Sequence, residues 1–210
     1  MFTRFRDHRS YEFDSVASDQ ASPVRQLRSI PVAPNSALVD EVLSHLADAV
    51  ARDRAELAAA RSPDRVLDLR RERTVWLLFQ ISTAQEEPVG AQDLAWAVAL
   101  LRDRTIRDIM YGLARSEYHG AAEALWLQIA AATHGHDRAE AVTLFAYSAY
   151  HHNNTALART ALAAALDADP THPIAALLAN ALDDRLPPQK IRALAEAAAV
   201  IAADLGIDIT

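Results

Sequence analysis

Apolar residues recur along most of this chain at helical spacing. Leu38, Val42, Leu46, Ala49, Asp53 and Leu57 fall on one face, and Asp53 is the single charged member. Asn35 or Ser36 is placed to cap that helix, which the pattern carries to about Ala60. Ser62-Pro63-Asp64 is a second start signal: a capping hydroxyl, a proline at the first helical position and an acid near the positive helix end. Leu67, Thr74, Val75, Leu78, Phe79 and Ile81 continue a second helix to about Thr83. Glu86-Glu87-Pro88-Val89-Gly90 reads as a loop. A third helix spans about Ala91 to Leu101 and bends at Arg102-Asp103. A fourth ends near Arg115, with Gly112 inside it as a point of close packing, and Gly120 opens a fifth. His172-Pro173 starts a helix to about Asp184, and Leu186-Pro187-Pro188 breaks it. Ile191, Leu194, Ala195, Ala198, Ile201 and Leu205 stripe the last helix. No strand pattern stands out.

Between the fifth helix and His172 lie two apolar-striped helices joined by the polar turn His151-His152-Asn153-Asn154. Val142, Phe145 and small Ala146 share a face on the first. Ala158, Leu162 and Ala165 follow on the second, and Pro170 stops the chain. Small residues at 146 and 158 let two helix backbones approach while larger ones fill the flanks. This order resembles one tetratricopeptide repeat, with Val142 and Ala149 where aromatic anchors are common. The expectation is an all-α fold of eight or nine helices in antiparallel hairpins with a tetratricopeptide-like C-terminal part. Residues 35–210 form one helical domain, with the repeat-like hairpin and following helix at 137–184.

Residues 1–34 are different. They hold Phe2, Phe5, Tyr11 and Phe13, then a Ser/Asp/Gln stretch, then Pro31 and Pro34, without a sustained period. They read as an extended or partly disordered arm whose aromatics dock on the helical body or on a second copy.

Composition narrows the function classes. Of 210 residues 51% are hydrophobic, 6% are aromatic and only 5 are glycine, a balance that favours helix over sheet. A net charge of -7 argues against general nucleic-acid affinity. With no cysteine there is no disulfide framework, thiolate metal site or thiol nucleophile. No apolar run reaches membrane-spanning length, and Met1 to His8 carry no signal-peptide core, so a cytoplasmic location is expected.

Four segments carry a family resemblance. They are the 93–101 run Asp-Leu-Ala-Trp-Ala-Val-Ala-Leu-Leu with Arg-Asp at 102–103 and 107–108, and Ala124-Leu125-Trp126 before an Ala-rich helix. The third is Leu144 to Ala149 with the polar turn and Ala156-Leu157-Ala158. The fourth is Ala165 to Pro170 with Ala176-Leu177-Leu178 and Leu186-Pro187-Pro188. From residue 36 onward this order resembles the C-terminal half of the actinobacterial domain of unknown function 4192 family. The resemblance implies a helical fold and no assigned chemistry. Members carry an α/β half ahead of this part, where residues 1–34 stand here.

Histidine supplies the one constellation of candidate chemistry. Six of eight histidines lie between 119 and 172, all at predicted helix ends. Alternating helices place His119, His151 and His152 at one end of the domain and His134, His136 and His172 at the other. Such groups suit zinc or nickel, or a pH-responsive surface. The spacing matches no closed ligand motif, and exposed turn histidines ordinarily cap carbonyls. No metal and no cofactor is therefore expected. Arg61, Arg65, Arg70, Arg71 and Arg73 form a basic run, interleaved with Asp64, Asp68 and Glu72 at salt-bridge spacing. Trp76, Trp96 and Trp126 lie on apolar faces and read as core.

The reading that follows is a non-enzymatic binding or scaffold module. A partner peptide or helix lies in a groove marked by Tyr147, Tyr150 and His151, and the arm offers a route to homo-oligomers. Two alternatives stand beside it: a nucleic-acid-associated regulator using Arg61–Arg73, and a metal-dependent enzyme using the turn histidines.

Overall fold

Local chemistry sets most of the helix boundaries. The computed structural model describes residues 33–183 and 188–209. Asn35 caps α1 (Ser36–Ala59), its side chain accepting from the Leu38 N–H. Ser62 caps α2 (Pro63–Thr83) in the same way through Arg65 N–H, with Pro63 opening the first turn. Next come α3 (Ala91–Leu101), α4 (Arg104–Met110) capped by Asp103, and a 3-10 turn over Tyr111–Arg115. Then follow α5 (His119–Ala132), α6 (Gly135–His151), α7 (Thr155–Ala168), α8 (Pro173–Asp183) and α9 (Pro188–Asp204). Nine α-helices and no strand occur among the described residues. The fourth helix expected to reach Arg115 instead tightens at Tyr111 into the 3-10 turn.

The centre of the fold is α6. All thirteen residues from Arg138 to Tyr150 are buried, because α5 and α7 flank the helix and α8 and α9 pack on it as well. A helix covered on every side shows no clean apolar stripe in sequence. The three-residue turn to α7 passes through Asn153 at φ 62°, the left-handed region that Asn tolerates. Asn154 then caps α7 by accepting from the Leu157 N–H. Along α7 the small residues Ala158, Ala161 and Ala165 are all fully buried.

Two devices tie distant segments together. Gln128 on α5 accepts from the Val89 N–H at 2.7 Å and donates to the Ala84 carbonyl at 2.9 Å, which pins the α2–α3 loop. Gly112 sits where a Cβ would run into Ile209 Cδ1 and lie 3.2 Å from Ala198 Cβ, so its missing side chain lets α9 and the segment after it close on the 3-10 turn. Trp126 is core. Trp76 and Trp96 are half-buried, meet edge to face at 6.4 Å, and the Arg52 guanidinium lies over the Trp96 ring.

Candidate functional site

The start of α6 and the turn before α8 bring together side chains that sequence spacing leaves apart. His136 and Glu140 lie one helical turn apart on α6, and His172 is the residue before α8. The His136 and His172 rings are 5.1 Å apart. One donor atom from each of His136, Glu140 and His172 lies within 4.8 Å of the other two.

The hydrogen bonds fix the ring states. His136 Nδ1 is 2.7 Å from Asp169 Oδ2, so Nδ1–H donates and Nε2 keeps its lone pair. Hydrogen bonds from His136 and Thr171 hold the Asp169 carboxyl down at about 2. His172 Nδ1 accepts from the Ala175 N–H at 3.2 Å, so Nε2 carries the proton and donates to Glu140 Oε2 at 3.2 Å. His172 thus caps the N-terminus of α8 and is buried at 1% exposure, in contrast to the exposed carbonyl-capping histidine expected from sequence.

Glu140 is buried at 5% exposure. Its Oε2 faces His172 and lies 3.6 Å from Arg107, and its Oε1 has no hydrogen-bond partner among the described residues. His136 and Glu140 line a cleft that is partly open to solvent, with an apolar wall of Val98, Leu101 and Ile129, and His172 stands behind Glu140 outside that lining. Beside the cleft Arg102 pairs bidentately with Asp137, and Arg107 donates from Nε and Nη2 to the single oxygen Oδ1 of Asp108. His134, expected at the same end, is exposed and stands outside this group. Glu140 and Asp169 were not legible as site residues. The signal for Glu140 was its helical spacing from His136, and Asp169 had none beyond its place in the Asp-Pro turn.

The second histidine group also forms. His119 and His152 rings lie 4.2 Å apart, and the His151 ring is 5.5 Å from His152. His119 Nδ1 donates to the Ser116 carbonyl. His151 is pushed below the usual imidazole range, first by burial and then by His152, Arg192, Arg115 and His119.

Tyr147 and Tyr150 are buried at 1% and 7% exposure, while His151 is half-buried. The Tyr147 hydroxyl donates to the Ile191 carbonyl and accepts from the Ala195 N–H, so α9 of the same chain lies where a partner was expected. Burial pushes the Tyr147 phenol up to about 12. Phe2, Phe5, Tyr11 and Phe13 lie outside the described residues.

The basic run divides. Arg61 and Arg65 are exposed, and Arg65 pairs with Glu72. Arg70 turns to Asp103, and Arg71 lies near Gly206. Arg73 is buried between Asp53 and Glu56. Three of the five, Arg65, Arg70 and Arg73, are thus paired with acids.

A family model matches residues 15–189, described as "Domain of unknown function (DUF4192)". The chain belongs to the DUF4192 family. The match begins ahead of residue 36, where the sequence likeness started, and ends inside α9. No curated protein and no solved structure matches the chain. Membership in DUF4192 assigns no chemistry to the histidine groups. Among the described residues no helix is long and apolar enough to cross a membrane.

Proposed function

We propose that this chain is a non-enzymatic helical module for protein–protein interaction, with residues 137–184 as its tetratricopeptide-like part. The observation that carries the reading is an apolar stripe left bare on α2. Leu67, Val75 and Phe79 stand 44%, 51% and 63% exposed, two turns and then one turn apart. Apolar side chains aligned on one helix in this way mark a contact surface more often than isolated ones do.

The occupant we assign to the stripe is the aromatic arm of a second copy. Residues 1–32 supply four aromatic rings in a segment without helical or strand periodicity. Fully extended, that length reaches about 100 Å, enough to cross to a neighbouring molecule. Burial of Phe79 and Val75 under arm aromatics supplies the driving force. The basic run gives the nucleic-acid alternative no comparable support, since Arg65, Arg70 and Arg73 are each matched with an acid.

Sedimentation equilibrium of the full chain tests the reading, with hydrogen exchange read over residues 1–32. The expected result is a dimer with a protected arm, converted by V75D/F79D to a monomer whose arm exchanges freely. A monomer with a protected arm would mean that the arm packs on its own body. That result, or a dimer indifferent to V75D/F79D, overturns the proposal.

A further inference from the structure

The geometry points to a binding site for a single first-row divalent cation of the zinc or nickel type, held by His136, Glu140 and His172. Two nitrogens and a carboxylate are the donor set such ions prefer.

Three independent features support it. First, Asp169 fixes the His136 ring so that Nε2 is the lone-pair nitrogen, the outer-shell arrangement that orients metal-bound histidines. Second, Glu140 is buried and one of its oxygens has no partner, although a buried carboxylate oxygen normally finds a donor or a cation. Third, the donors already stand close together. Donors about 2.1 Å from a tetrahedral ion lie roughly 3.4 Å apart. The present 4.8 Å limit is wider than that, so binding requires the three side chains to draw together, and the 59% exposed side chain of His136 has room to move.

Charge does not oppose the ion. Arg102 is matched with Asp137, and Arg107 is shared between Asp108 at 2.8 Å and Glu140 at 3.6 Å, so the two arginines are balanced by three carboxylates and Asp169 adds a fourth. His172 must change tautomer to ligate. Its Nε2 proton is lost and Nδ1 takes one up, so the ring stays neutral. The Ala175 N–H then loses its acceptor, and the first turn of α8 loosens as the metal binds. With three protein ligands, a fourth coordination position is left for water or another ligand.

The test uses the full chain, dialysed against chelator and titrated with Zn²⁺ by calorimetry and with Co²⁺ by visible absorption. One ion per chain at micromolar or tighter affinity is expected. His136→Ala changes a side chain that is 59% exposed and leaves the fold intact, so it isolates the site. It is expected to weaken binding by at least ~10-fold, and Glu140→Gln by a similar factor. The double variant H119A/H152A, which dismantles the other histidine group, is expected to bind like wild type. The assignment is overturned by no stoichiometric binding, by unchanged affinity in His136→Ala, or by loss of binding in H119A/H152A.

Discussion

Arg73 on α2 and Asp53 on α1 approach to 3.2 Å with only 4% and 11% of their side chains exposed. The ion pair is close but poorly aligned. Among the described residues Asp53 Oδ1 finds no hydrogen-bond partner, and neither do Arg73 Nε and Nη1. Burial therefore wins over the guanidinium, and the Asp53 carboxyl is pushed above its ordinary range. Asp53 was the one charged residue on the apolar face of the first helix, and its partner lies twenty residues on. Removing one member strands the other: Arg73→Met is expected to cost about 3 kcal/mol in chemical denaturation. The double variant D53L/R73M is expected to fall within about 1 kcal/mol of wild type, since an apolar pair replaces a strained buried one. Additive losses from D53L and R73M would contradict the account.

Gly112 supplies the second expectation. A methyl group there meets the flexible end of Ile209 and the fixed Cβ of Ala198. Gly112→Ala should destabilise by about 1–2 kcal/mol through overpacking. Shortening the obstacle with Ile209→Val should recover part of that loss in the double variant, as measured by urea midpoint. A Gly112→Ala protein as stable as wild type would show that the segment after α9 gives way without cost.

Ala158 tests the α6–α7 hairpin. It is fully buried on the face of α7 that packs against α6. Ala158→Leu is expected to destabilise by about 1–3 kcal/mol. An unchanged melting temperature would mean that the two helices separate without penalty.

Acid should weaken the fold through His151. Its folded pKa lies below the ordinary 6.5, so the native state resists a proton that the unfolded chain accepts. The stabilising effect is complete above pH 6.5. It is lost as pH falls from there through the folded pKa. The groups facing His151 are His119 from α5, Arg115 from the 3-10 turn, His152 from the turn and Arg192 from α9, all of which oppose its charging. His151→Gln should flatten the decline in stability between pH 7 and 5. A slope identical to wild type would assign the decline to other groups.

Helix ends were legible because they depend on neighbours in sequence. Asn35, Ser62-Pro63 and Pro173 each act within a few residues, and each starts a helix where expected. Gly112 was legible too, since a glycine inside a helical pattern signals close approach. What lay beyond reach was which helix covers which. Tyr147 and Tyr150 read as an open groove because nothing local reveals that α9 returns to cover them. His172 read as exposed because the residue that its ring meets, Glu140, lies thirty-two residues earlier. Glu140 itself looked like one acid among many, and only the fold places it between two imidazoles.

The Tyr147 hydroxyl takes the Ile191 carbonyl and the Ala195 N–H, the two groups that would close one rung of an ideal helix. Its meaning changes when the chain is followed in order of synthesis. On the ribosome α6 emerges well before α9, so the nascent chain displays Tyr147, Tyr150 and the Gly112 notch as sticky surface until the last helix arrives. Domains that wait for a late segment in this way are exposed to aggregation and chaperone capture during translation. A nascent chain stalled with α9 still in the exit tunnel should be cleaved readily by added protease. One stalled after α9 has cleared the tunnel should resist, and equal sensitivity of the two would show that the earlier helices close without it.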